Sequence, residues 1–394
     1  MKQKNAQSGA FKITMFGVAS FFNDISSKMI LSVLPLFIAS LGGSGIIIGL
    51  AGGIREGLAN VLKVVFGYLS DRTKARKPFV GAGYLVSIVS KLLIVLSKAW
   101  WHLLIFIGFD RVGKAIRLAP REAMIALAMP KKKGTGFGIH RALNALGASC
   151  GAFVAFFLIW FFNVQLRTVI FLGSLISVFL LIPLQFVREN EGSEQKVNQR
   201  KSIFEIPKPL IFFTVISAVF MLSHFNYMFF ILRSQEVVTG KWSIGFPVFM
   251  YAFFSFLNAV FALPAGILSD KIGRKNVLMA GYLLFSLTAF GFAFTHSVLA
   301  YFILFACYGI ARAFIEGNQN AYVADLVSPE LVASFLGGFH ALMGVSIIFA
   351  GVMAGFLWYY YGSSATFVYT GIVSMVAVLL FIYLGRFLKD KTKE

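Results

Sequence analysis

The chain has 394 residues, of which 58% are hydrophobic and only 13% are charged, yet its formal net charge is +20. Because soluble proteins carry about 25% charged residues, this composition excludes a soluble enzyme and an intrinsically disordered protein. Two cysteines are too few for a disulfide-stapled secreted domain. Basic proteins often bind nucleic acid, but 45 phenylalanines in long apolar runs are typical of lipid contact. The composition therefore indicates an integral membrane protein without a nucleic-acid partner.

Apolar segments long enough to cross a bilayer follow one another along the chain. A membrane-spanning helix needs about 20 mostly apolar residues. Six such segments precede a polar stretch, at 13–38, 46–69, 79–97, 101–128, 136–160 and 167–187. Six more follow it, at 210–232, 244–268, 277–295, 298–326, 334–358 and 364–386. We predict an all-α membrane protein of twelve helices in two six-helix bundles, 1–187 and 209–394, joined by a cytoplasmic linker at 188–208.

Positive charge in the predicted loops indicates the orientation. Most of the 36 Lys and Arg residues fall in segments on one side of the membrane, and cytoplasmic loops are enriched in these residues. The five tryptophans lie at span ends on the other side, where an aromatic belt belongs: Trp100, Trp101, Trp160, Trp242 and Trp358. The pattern predicts a multi-pass protein of the inner (cytoplasmic) membrane with both termini in the cytoplasm.

The two predicted bundles share a loop motif at an offset of about 199 residues. The pattern Gly-x-x-x-Asp-(Arg/Lys) begins at Gly67 near the end of the second span and at Gly266 near the end of the eighth. The second copy continues through Gly273 and two basic residues, whereas the first has Lys74 where the second glycine would stand. Parallel repeats of six helices place a substrate site between the halves, near the membrane midplane.

With these two loop motifs, the chain resembles transporters of the major facilitator superfamily over essentially its full length. The resemblance implies alternating access by rocking of the two halves, with the motifs latching the cytoplasmic side. Arg121, in the cytoplasmic third of the fourth span, is assigned to this gate as well. The predicted gating residues are Gly67, Asp71, Arg72, Arg76, Arg121, Gly266, Asp270, Lys271, Gly273 and Arg274. The stretch 110–144 also resembles a prokaryotic subgroup, some of whose members are linked to iron or siderophore handling.

Charged residues inside the spans are the second unusual feature. A charge near the bilayer centre costs about 2.5–3.5 kcal/mol when it faces lipid, so most of these groups must face partners or water. The first half holds nine of the ten intramembrane cations but only four carboxylates, and this excess favours an anionic ligand. On the fourth span, Asp110, Lys114 and Arg117 share one helical face. The predicted substrate-binding residues are Lys28, Arg55, Arg111, Lys114, Arg117 and Arg312.

Several of these charges have a structural alternative. Asp24 and Lys28 stand four residues apart, as do Arg312 and Glu316, so each pair could close within one helix. Lys91 could extend along its helix to the membrane surface and have no further role. Three span histidines could carry protons or only bond a neighbouring helix: His140, His224 and His340.

The sequence has no Gly-x-x-x-x-Gly-Lys-(Ser/Thr) element and no catalytic or metal-ligand motif, so we predict neither an enzyme nor a cofactor or metal site. We expect a monomeric secondary active transporter of a small organic anion, such as a polycarboxylate, a phosphorylated metabolite or a siderophore. Proton coupling is expected through span carboxylates, namely Asp24, Glu56, Asp110 and Glu316. Two alternatives remain open: an exporter of amphipathic drugs or lipids, and a non-transporting membrane receptor.

Overall fold

The computed structural model describes residues 2–73, 76–129, 133–187, 207–240, 242–327 and 332–390, which form helices joined by short turns. The first half contributes α1 (Lys2–Ser40), α2 (45–73), α3 (Arg76–Val95), α4 (Trp100–Ala128), α5 (Lys133–Phe162) and α6 (Leu166–Gln185). Ile54–Leu58 is a π-helical turn inside α2. Such turns widen a helix locally and are frequent at functional sites.

The second half contributes α7 (Lys208–Gln235), α8 (Trp242–Ile272), α9 (Arg274–Phe294), α10 (Val298–Asp325), α11 (332–361) and α12 (363–390). α7 is broken into Lys208–Ser223 and Met228–Gln235. Gly362, with φ of 86°, separates α11 from α12, because a left-handed residue cannot continue a helix and glycine adopts that conformation without steric cost.

Ten helical segments of the described chain are long and apolar enough to cross a membrane. One of the ten contains both α11 and α12. α4 is not among them because it is rich in charge, although its 29 residues would extend about 43 Å. The predicted all-α membrane fold is therefore confirmed, with about twelve spans. The largest difference in a boundary is at α1, which begins at Lys2 instead of residue 13.

A row of glycines joins the two halves along α2 and α11. α2 carries a glycine at every fourth position from Gly45 to Gly57, and these residues share one face of the helix. A Cβ atom added at Gly49 would lie 2.1 Å from the carbonyl oxygen of Gly351, and one added at Gly57 would lie 2.3 Å from that of Gly344. The two backbones therefore touch directly, as small residues allow. We call this contact the glycine seam.

The second contact between the halves is aromatic and runs along α5 and α8. The rings of Trp160 and Trp242 are 4.2 Å apart, and those of Phe156 and Phe249 are 5.0 Å apart. Gly245 lets the indole of Trp160 lie against the backbone of α8, since a Cβ there would be 2.7 Å from the ring. Aromatic pairs of this kind each contribute about 0.5–1.5 kcal/mol beyond the area they bury. We call this contact the aromatic seam.

Both seams run toward the end of the bundle that carries the tryptophans, which we call the outer end. Glu56 and Glu316 lie near the middle of α2 and α10, yet their side chains are 37% and 48% exposed. The two seams join the halves toward the outer end. We call the space between the halves, around these carboxylates, the cleft.

Candidate substrate site

The π-helical turn of α2 places two opposite charges at the cleft. The Nη1 atom of Arg55 lies 3.2 Å from Oε1 of Glu56 and donates a hydrogen bond of 3.3 Å to the hydroxyl of Tyr227 on α7. Arg55 is buried, whereas Glu56 is partly exposed. Residues adjacent in sequence point in different directions on an α-helix, so spacing rules do not predict this pair.

α4 contributes three charges on the same side of the cleft. Asp110 and Arg111 form a buried ion pair. The second carboxylate oxygen of Asp110 is buried and has no hydrogen-bond partner in the described chain. It borders a cavity of about 20 Å³, also lined by Arg55 and Lys91, which is large enough for one water molecule. Lys114 forms no hydrogen bond or ion pair with any described residue.

α1 contributes Lys28, whose ammonium group reaches the second half. Its Nζ atom donates a hydrogen bond of 3.1 Å to the hydroxyl of Tyr251 on α8. Asp24 instead accepts a hydrogen bond of 3.0 Å from Asn23. Within the described residues, Asp24 and Lys28 do not form the closed pair that their spacing allows. Lys28 therefore has no carboxylate partner in the described chain.

The second half contributes Arg312 on α10. It forms an ion pair with Glu316, so the intrahelical pairing predicted as an alternative is present. A second bond of 3.0 Å joins its Nη1 atom to Nε2 of His224 on α7. Since a guanidinium group only donates, Nε2 accepts and the histidine carries its proton on Nδ1. His224 thus bonds a neighbouring helix, the simpler of the two roles considered for it.

Arg117 and Arg121 lie inside the first half. Arg117 donates a bond of 2.5 Å to Ser87 of α3, and its guanidinium lies 4.6 Å from the ring centroid of Tyr84. Arg121 donates to Ser20 and to the Tyr84 hydroxyl, at 3.1 and 3.4 Å. The sequence placed Arg117 at the substrate and Arg121 in the gate, but these side chains bind α1 and α3 of their own half.

Lys91 corrects a prediction made from the sequence. Its side chain does not extend to the membrane surface: the residue is 3% exposed. Its ammonium group instead bonds Asn23 Oδ1 at 3.2 Å and Ser26 Oγ at 3.1 Å, both on α1. These bonds connect α3 to α1 behind the cleft. This role can be recognised only from the three-dimensional contacts.

Replacing Lys91 with methionine is expected to lower the free energy of unfolding by about 1–3 kcal/mol, because Asn23 and Ser26 would lose their buried partner. Thermal unfolding of the purified protein in detergent measures this change. Lys98→Met is the matched control, since Lys98 is exposed. Equal unfolding temperatures for the two variants would show that the Lys91 bonds contribute nothing to stability.

The loop motifs contact helices of their own half. A Cβ at Gly67 would lie 3.2 Å from Ala119 of α4, so these helices approach closely there. In the second half, Arg274 pairs with Asp270 at 3.8 Å and with Asp325 of α10 at 3.1 Å. Asp325 was not predicted in this role.

The backbone conformation explains why one further motif position is a glycine. Gly273 has φ of 90°, which other residues rarely adopt, and it divides α8 from α9. Gly266 has no neighbour within 4 Å of a Cβ placed on it, and Arg72 and Lys271 are exposed. Arg76 begins α3. The side chain of Asp71 and all of Lys74 lie outside the described residues.

The family match covers nearly the whole chain. The model described as Major Facilitator Superfamily matches residues 16–251 and 211–394. The chain belongs to the major facilitator superfamily. It is 43% identical to the uncharacterized MFS-type transporter MJ1317 of Methanocaldococcus jannaschii over 376 residues, which is 94% of each protein.

More distant relatives of this superfamily member differ in what their names say they carry. It is 24% identical over 315 residues, 77% of each chain, to the multidrug resistance protein MdtH of Proteus mirabilis. The crystal structure of the nucleoside transporter NupG shares its fold with a TM-score of 0.75 at 16% identity, covering 94% of this chain and 98% of the other. The protein is therefore a multi-pass transporter of the inner membrane and not an enzyme, in agreement with the sequence.

Proposed function

We propose that this superfamily member is a secondary active transporter that moves a small organic anion by alternating access, coupled to protons. The observation that supports the anion most directly is the pair of ammonium groups at Lys28 and Lys114. Within the described chain, neither forms an ion pair with a carboxylate. Glu56 attracts Lys114 only through the wider field of the cleft, as Asp24 and Glu316 attract Lys28. The guanidinium groups of Arg55, Arg111 and Arg312 each have one.

Both lysines are partly buried, and no carboxylate contacts them directly. A ligand that places negative charge against these ammonium groups therefore gains affinity at this place. Five of the six predicted substrate-binding residues therefore divide into two groups, and the sixth, Arg117, is engaged by Ser87 and Tyr84 within the first half. Lys28 and Lys114 would contact the anion as charges, and the three paired arginines would offer their remaining N–H donors. A polycarboxylate, a phosphorylated metabolite or a siderophore with carboxylate groups has several acceptor oxygens and would use both groups.

The two halves, 1–187 and 209–394, would move as units about the substrate. Opening the outer end requires the glycine seam and the aromatic seam to separate, while the cytoplasmic ends close. The linker at 188–208 lies outside the described residues, except for 207–208. We propose that one chain suffices for transport, because both sides of the cleft come from the same polypeptide.

Uptake into proteoliposomes tests the proposal. Purified full-length protein would be offered labelled citrate, glucose 6-phosphate and ferric dicitrate, each with and without an inwardly directed proton gradient. Uridine, a neutral compound, serves as the comparison, since a structural neighbour is a nucleoside transporter. Anion uptake that increases with the gradient supports the proposal, whereas uridine uptake with no anion uptake would overturn it.

An exporter of amphipathic drugs is the second candidate, and the similarity to a multidrug resistance protein favours it. The same liposomes, loaded with ethidium, distinguish the two. Efflux of ethidium in a Lys28→Gln, Lys114→Gln double variant at the wild-type rate, with no anion uptake by the wild type, would establish the exporter instead.

Glu316 is the carboxylate that we expect to exchange a proton with the cleft, because it is 48% exposed there and is paired with Arg312. Protonation would release the arginine for the substrate. Glu316→Gln should retain the uptake measured without a gradient. The ratio of uptake with a gradient to uptake without one should fall to about one, since an amide does not titrate. Uptake at several external pH values measures this effect.

Glu236→Gln is the matched control for this variant, because Glu236 lies at the outer end and is paired with Arg233 at 2.5 Å. Unchanged gradient stimulation in Glu316→Gln would assign the proton to one of the other three predicted carboxylates: Asp24, Glu56 or Asp110.

A further inference from the structure

α7 is interrupted at the depth of the cleft by a short non-helical segment. The first part of the helix ends at Ser223, and the second part begins at Met228. Asn226 stabilises the new helical start, because its Oδ1 atom accepts the backbone N–H of Met228 at 3.0 Å. The interruption brings Asn226 and Tyr227 toward the first half.

Side chains of this segment form hydrogen bonds across the cleft. Asn226 donates to the carbonyl oxygen of Gly52 on α2 at 3.2 Å. The Tyr227 hydroxyl donates to the carbonyl oxygen of Leu31 on α1 at 3.2 Å while it accepts from Arg55. The hydroxyl is therefore engaged on both sides, with partners that all belong to the first half.

Tyr251 on α8 repeats the arrangement beside it. Its hydroxyl accepts the bond from Lys28, and the ammonium group lies 5.4 Å from its ring centroid. The rings of Tyr227 and Tyr251 are 4.8 Å apart, and both residues are at most 6% exposed. Two cations of the first half, Lys28 and Arg55, thus have tyrosines of the second half as partners.

We infer that Tyr227 and Tyr251 form a latch that keeps the outer end of the empty carrier closed by holding Lys28 and Arg55. Separation of the halves at the outer end breaks these bonds and leaves both cations without their hydroxyl partners. That step is unfavourable in the absence of another acceptor. An anion bound to the same cations would supply the acceptor oxygens, and this second part of the inference rests on the proposed function.

The latch is tested without any substrate. Spin labels at Ser40→Cys and His296→Cys, both exposed at the outer end, report the distance between the halves in nanodiscs. The native cysteines, Cys150 and Cys307, are replaced by serine. The double variant Tyr227→Phe, Tyr251→Phe removes the hydroxyls and retains the contact between the two rings. We expect the ratio of outer-open to outer-closed molecules to rise about tenfold for each hydroxyl removed and about 100-fold for both, as for the loss of hydrogen bonds to charged groups.

Tyr282→Phe is the matched control, because Tyr282 is equally buried but bonds Ser217 and Gln319 of its own half. A distance distribution in the double variant identical to that of the control overturns the latch, whatever the substrate is.

The competition with substrate is read separately, as the KM of the anion taken up by the wild type. We expect a lower KM in the double variant, because the anion no longer displaces the hydroxyls. If the distance shifts but the KM does not change, the latch stands, and the inference that the anion competes with the tyrosine hydroxyls is overturned. Absence of anion uptake with a shifted distance would overturn the proposed function alone.

Discussion

Gly49→Ala is expected to reduce transport by about tenfold or more, because overpacking a close backbone contact costs about 1–3 kcal/mol in the state that contains it. The added Cβ would lie 2.1 Å from the carbonyl oxygen of Gly351, and real Cβ atoms do not approach so closely. α2 and α11 would have to move apart along the glycine seam. The outer end would then close poorly, and the inward-facing state would become less populated.

Initial rates of uptake measure this effect, with size-exclusion chromatography to confirm that the variant is folded. Gly108→Ala on α4 is the matched control, since a Cβ there has no neighbour within 4 Å. The spin-label pair at the outer end should report a larger separation for Gly49→Ala. Wild-type rates in this variant would mean that transport does not need the backbone contact at Gly49.

The Lys28→Gln, Lys114→Gln double variant is expected to lower the catalytic efficiency of anion uptake by about 100-fold or more, from about 1.5–3 kcal/mol for each charged contact. Glutamine retains a hydrogen-bond donor but removes the charge, so the decrease in uptake measures the electrostatic contribution of the two lysines. The loss should be greatest for the most highly charged anion accepted. Uptake rates over a range of anion concentrations separate an effect on KM from one on the maximal rate.

Lys98→Gln is the control for the charge itself, because this lysine is exposed in the turn before α4. Lys114→Arg gives a second comparison that keeps the charge and changes the shape of the donor. If the double variant transports the same anion as fast as the wild type, the unpaired ammonium groups do not bind substrate.

The long spans could be predicted from the sequence because each is a nearly continuous apolar run, and the repeated loop motif indicated two halves. The break in α7 could not be predicted in this way. Residues 224–227 lie within an apolar stretch. Hydropathy does not show whether the backbone groups of such a stretch bond within their own helix or bond another helix. Asn226 is the one signal in that stretch, since asparagine is a frequent helix cap.

The intramembrane charges were recognised, but of the three ion pairs described at the cleft the sequence offered one, Arg312 with Glu316, as an alternative. Spacing rules predict contacts between residues three or four positions apart, and Arg312 with Glu316 obeys them. Arg55 with Glu56 and Asp110 with Arg111 are sequence neighbours, which such rules exclude. Lys91 was assigned no role because its partners come from α1, 65 or more residues away in the sequence. The folded arrangement is needed to see that, among the described residues, Lys28 and Lys114 form no ion pair with a carboxylate.

The charge of α4 also bears on how the protein is made. The stretch from Asp110 to Glu122 contains six ionisable residues, counting both ends. Transfer of this helix alone from the translocon into lipid is therefore unfavourable. Arg117 and Arg121 find their acceptors on α1 and α3, which are synthesised earlier. We therefore expect α4 to enter the bilayer as a hairpin with α3, after α1 is in place. The hydrogen bonds that Arg117 and Arg121 form in the finished carrier thus impose an order on its biogenesis.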